Sequence, residues 1–61
     1  MKKCDELIQR GHSNINNKKY WEDLYNECVQ FLQDEEVIQE DKDKLLRTNM
    51  ESISMMYTSY L

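Results

Sequence analysis

The sequence predicts an all-α chain: a three-helix antiparallel arrangement made of a helical hairpin followed by a longer C-terminal helix. Three observations carry this reading. Apolar residues recur at helical spacing almost throughout. Proline is absent and glycine occurs once, so little interrupts a helix. The chain has 61 residues, room for a single helical domain over residues 1–61. A chain so short buries only about 60% of the surface its unfolded form exposes, and its hydrophobic gain nearly cancels against ordering entropy. Small chains compensate with a disulfide, a metal or another copy of themselves, and here the expectation is completion by dimerisation.

The first helix is expected over residues 3–16, where Cys4, Leu7, Ile8, Gly11 and Ile15 form a narrow apolar stripe. A glycine inside a helix costs about 1 kcal/mol relative to alanine, so Gly11 marks close approach of another backbone or a helix break at Gly11-His12-Ser13. Ile15 continues the stripe and favours close approach. The polar run from Asn14 to Lys19 supplies the turn, with Asn17 placed to cap the second helix.

That second helix, over residues 18–33, has the strongest pattern. Tyr20, Leu24, Cys28 and Phe31 form one stripe, and Trp21, Tyr25, Val29 and Leu32 form another beside it. Together they cover about half the circumference, wider than a one-sided face of about 100°. Such a helix contacts two neighbours and takes the central place. Asp34-Glu35-Glu36 is expected to turn the chain, and Val37 and Ile38 to fold back onto the core.

The third helix is expected over residues 40–60, with Glu40 and Asp41 suited to its positive dipole end. Leu46, Met50, Ile53, Tyr57 and Tyr60 step at helical spacing, with Leu45, Met56 and Leu61 beside them. Asn49 lies inside this arc, either as a register-setting polar group of a paired helix or at the arc's edge. Met55 points away from it. The helix is too long for its neighbours to cover, so some apolar surface should stay open toward its far end.

Gly11, Ile15, Tyr20 and Leu24, followed by Glu22 and Asp23, give the first hairpin a pattern that resembles a tetratricopeptide-type unit. Asp23 and Gln30 stand where that family places small residues, and its fold needs about three units. The resemblance implies a helical hairpin and no binding site.

The residue inventory argues against catalysis. His12 is the sole histidine and lies in a polar stretch. Cys28 falls on an apolar stripe and reads as a packing thiol. Cys4, near Lys2 and Lys3, is expected to be the more reactive of the two. These three soft ligands match no zinc spacing, no glycine-rich phosphate loop occurs, and no cofactor is expected. The start of the chain lacks the apolar stretch of a secretory leader, and no apolar run is long enough to span a membrane, so free thiols in a cytoplasm are expected.

The net charge of −4 is unevenly laid out. Residues 1–20 sum to +3, residues 21–41 to −8 and residues 42–61 to +1. An acidic middle disfavours direct nucleic-acid binding and suits a basic partner or the basic end of a second copy. Glu22, Asp23, Glu27, Asp34, Glu35 and Glu36 form the candidate acidic patch. The ordinary reading of such a run is a solvated face. Trp21, Tyr25, Val29, Met50, Met55, Tyr57 and Tyr60 form the candidate apolar contact set, rich in residue types found at interface hot spots. Most residues at such spacing build a core. Residues with AT-rich codons number 24, against 3 for glycine, alanine, arginine and proline together. That bias suggests a low-GC bacterium, or a phage or plasmid within one. The expectation is a non-enzymatic, homodimeric protein-binding module, such as an inhibitor or adaptor. An acidic decoy of nucleic acid is the alternative, and a small DNA-binding regulator a further one.

Overall fold

Asn17 begins the best-defined element. In the computed structural model, which describes residues 2–61, its side chain accepts from the backbone N–H groups of Lys19 and Tyr20, satisfying two of the orphan donors at a helix start. Helix α2 (Lys18–Gln33) covers the expected span, and the chain as described is all-helical, with three helices.

Helix α1 (Lys3–Gly11) is shorter than the sequence pattern suggested. Asp5 and Glu6 in its first turn and Arg10 in its last match the helix dipole. Beyond Gly11 the chain tightens. The His12 N–H bonds the Gln9 carbonyl at 3.1 Å, and the Ser13 N–H bonds the Arg10 carbonyl at 3.3 Å. Ser13 Oγ then accepts from the Ile15 N–H at 3.2 Å, a local bond that competes with helix continuation. Ile15 is therefore not on the core stripe but 44% exposed in the loop. It contributes through its carbonyl, which accepts from Trp21 Nε1 at 2.7 Å.

The third helix runs without a break through α3 (Gln39–Leu45), a π-helical turn (Leu46–Met50) and α4 (Glu51–Thr58). Its buried stripe is Leu45, Asn49 and Ile53, not the expected line through Leu46 and Met50. In an uninterrupted α-helix a four-residue step drifts by about 40°. The wider π turn slows that rotation and keeps the three residues on one line. Leu46 is thereby turned outward and is 48% exposed. Ile38 precedes the helix at its N-cap and is exposed; of the expected pair, only Val37 folds back onto the core.

The core consists of Cys4, Leu7, Trp21, Leu24, Cys28, Phe31, Leu45 and Ile53. Helix α1 packs on α3, the π turn and α2, while α2 packs chiefly on α4, so the central place expected for α2 falls to the third helix, against which both others lie most extensively. Along α1 and the third helix the partners rise together: Cys4 Sγ donates to the Asp41 carbonyl at 3.3 Å, Asp5 pairs with Lys44 at 2.7 Å, and Asn49 Nδ2 donates to the Ile8 carbonyl at 2.8 Å.

Asn49 and Gly11 explain one another. The Ile8 carbonyl is left open because the His12 N–H turns to Gln9, and the buried Asn49 amide fills it. A Cβ at Gly11 would lie 1.8 Å from Asn49 Nδ2 and 3.0 Å from Ile53 Cδ1. Gly11 thus marks both a helix end and a close approach, but the neighbour that approaches is a side chain rather than a backbone. Its φ is not positive, so space and not backbone strain requires glycine here. The Arg10 carbonyl also accepts from Tyr20 Oη at 2.6 Å. Helix α2 and the third helix therefore both supply caps to the end of α1.

One copy encloses this core. The radius of gyration of 11.0 Å compares with about 10.5 Å expected for a folded domain of this length. The accessible surface of 4332 Å² compares with about 4250 Å² for a monomer of this mass.

Candidate functional site

Beside the core lies a strip of half-buried apolar residues. Tyr25, Val29 and Leu32 share one line of α2, at i, i+4 and i+7, and all are half-buried. The Tyr25 ring stacks on that of Tyr57, with centroids 4.8 Å apart and planes inclined by 18°. That stacking places the α2 line beside the third helix. There, Leu46 and Met50 each follow a buried residue, Leu45 and Asn49, and Tyr57 lies one turn beyond buried Ile53. The strip thus comprises Tyr25, Val29, Leu32, Met50 and Tyr57, of which Tyr25, Leu32 and Met50 also pack against the core, with Leu46 exposed one turn before Met50.

Other members of the apolar contact set fall elsewhere. Trp21 is 1% exposed, its ring perpendicular to that of Tyr20, so it belongs to the core and not to a contact surface. Tyr60 is half-buried and its hydroxyl bonds Asn16 Oδ1, tying the C-terminal turn to the loop after α1. Met55 is 65% exposed on the outer side of α4. Leu46 fits the core by spacing only if the third helix is uninterrupted. The one sequence clue to its place on the strip is that the apolar arc of that helix is wider than one core face needs.

The acids also divide. Glu27 is committed inside the chain: Arg10 pairs with it at 2.6 Å and Lys3 at 3.3 Å, joining α2 to α1. Desolvation opposes its ionisation, but hydrogen bonds from Arg10 and Lys3 outweigh it and hold the carboxyl below its ordinary value. Asp23 pairs with Lys19 at 3.3 Å, both well exposed, and Glu22 is half-buried. Asp34 Oδ1 accepts from the Glu36 N–H at 2.9 Å and shapes the turn. Glu35 and Glu36 are exposed, and among the described residues neither forms an ion pair.

Two of the concavities among the described residues are defined by their linings. One of about 410 Å³ is lined by Gly11 to Asn16, Trp21 and Met56 and holds one ionisable side chain, His12. The other, about 210 Å³, lies between Lys3, Glu27, Gln30, Phe31 and Asp34. Both thiols are buried and unpaired. Burial pushes Cys28 up to about 11 and also raises Cys4, where Asp41 and Asp5 add to the effect. The activation expected of Cys4 from Lys2 and Lys3 is overridden by that desolvation. Among the described residues no helix is long and apolar enough to cross a membrane.

No family model, curated protein or solved structure matches this chain. The hairpin's likeness to a tetratricopeptide unit accordingly brings no family assignment.

Proposed function

We propose that the chain is a small non-enzymatic binding module: a three-helix unit, with α1 and the third helix parallel, that pairs with a second copy and, as a dimer, inhibits or adapts another protein. The observation that carries this reading is the strip of Tyr25, Val29, Met50 and Tyr57, bordered by exposed Leu46. Aromatic and methionine side chains that stay half-open beside a closed core are the types that supply interface energy. The AT-rich coding suits an accessory protein of a phage or mobile element acting in the cytoplasm of a low-GC bacterium.

Light scattering of the full chain across a concentration series tests this. Dimer formation that Val29→Asp with Met50→Asp abolishes, while the helical signal remains, supports the strip. A wild-type chain that is monomeric and melts at one temperature at every concentration overturns it.

An acidic decoy of nucleic acid is the second reading, favoured by Glu35 and Glu36 standing exposed without ion pairs among the described residues. Its affinity would fall steeply with salt, whereas an apolar interface would not. Charge reversal belongs at Glu35 and Glu36 in that test, because reversing Glu27 would also break the contacts to Arg10 and Lys3.

A further inference from the structure

Helix α2 carries its flanking charges against its own dipole. Its first residues are Lys18 and Lys19, its first turn has no acid, its last turn has no base, and Asp34, Glu35 and Glu36 lie just past its C-terminus. A helix gains from acids at its start and bases at its end, so for α2 taken alone this layout is unfavourable at both ends. Among the described residues, Lys18, Glu35 and Glu36 have no ion-pair partner that would offset it.

The same charges sit at the two ends of the apolar strip. Lys18 falls on the line of Tyr25, Val29 and Leu32, seven residues before Tyr25, and the acidic turn begins just past Leu32. The point midway along the chain between Lys18 and the Glu35–Glu36 pair lies between Tyr25 and Val29, the centre of the α2 line. A two-fold axis there lays each basic end on the other copy's acidic end. A parallel pairing sets lysine on lysine and acid on acid. A uniformly basic partner would meet Lys18 with like charge.

We infer that the occupant of the strip is a second copy of this chain, docked antiparallel along α2 so that Lys18 of each copy faces Glu35 and Glu36 of the other. This rests on the self-association proposed above and adds its direction. The contact is isologous, so each pairing occurs twice per dimer.

Charge-swap complementation tests it, using sedimentation equilibrium of the full chain at low salt. Lys18→Glu in one variant, and Glu35→Lys with Glu36→Lys in another, should each weaken the dimer at least tenfold. Mixing the two in equal amounts should restore association as a heterodimer, and one chain bearing all three changes should return to near wild-type affinity. Added salt should shrink these differences. Both variants bring α2 into line with its dipole, so helical content and melting temperature of the monomer should not fall. If the wild type dimerises but both reversals dimerise equally well, or if mixing and the triple change restore nothing, the antiparallel docking is wrong while the strip survives. A wild type that stays monomeric, or a dimer untouched by Val29→Asp with Met50→Asp, removes the strip itself.

Discussion

Gly11→Ala sets two physical effects of opposite sign against each other. Alanine is favoured over glycine at a helical position by about 0.5–1 kcal/mol, and the backbone of Gly11 needs no positive φ. Propensity alone therefore predicts a more stable protein. The structure predicts the reverse, because the new methyl would lie 1.8 Å from Asn49 Nδ2 and 2.9 Å from its Cγ. The amide cannot yield by bending its tip alone; it must leave a site where it is 3% exposed and bonded to the Ile8 carbonyl. Two buried polar groups left unpaired cost about 1–3 kcal/mol, and crowding Ile53 costs about 1–3 kcal/mol more. The net loss is about 1–5 kcal/mol, at its upper end the whole stability of a domain this small. Thermal melts followed by far-ultraviolet circular dichroism and Trp21 fluorescence should show a fall of at least about 4 °C. Asn49→Ala alone should also destabilise. In Gly11→Ala with Asn49→Ala the methyl enters the vacated space, so the double variant should be more stable than the summed losses by about 2 kcal/mol. A single Gly11→Ala variant that melts at or above the wild type, or a strictly additive double variant, would refute the reasoning.

Charge and burial give two further expectations. Glu27→Gln should cost about 0.5–1 kcal/mol at neutral pH, a modest figure because Glu27 and its partners are partly exposed. The folded-state value of Glu27 is depressed, so its contribution is fully present above the ordinary carboxylate range and is lost as pH falls through the lower folded value. The gap in melting temperature between wild type and variant should close on acidification; a gap that widens there contradicts the Arg10–Glu27–Lys3 cluster. At pH 8, Cys4 and Cys28 should react with a thiol reagent only at the rate of unfolding, and added urea should release both, since each is buried and shifted toward the thiol form. Rapid labelling of Cys4 alone in native buffer would contradict its packing against Asp41.

Local pattern was enough for the helical class, the span of α2, the cap at Asn17 and the turn at Asp34–Glu36, because these depend on near-neighbour spacing and on side chains bonding their own backbone. It also singled out Gly11 and Asn49 as residues out of place in apolar stripes. It did not show that they were one feature, since 38 positions separate them in the chain and only packing brings them together. The end of α1 was misplaced because Ile15 keeps helical spacing after the backbone has left the helix. The stripe of the third helix was misplaced for a related reason: spacing assumes a constant turn, and the π turn at Leu46–Met50 changes it. Which apolar residues close the core and which line the strip became visible only once the helices were docked. The same holds for which acids are already neutralised, because burial and ion pairing depend on what the other two helices bring to each face.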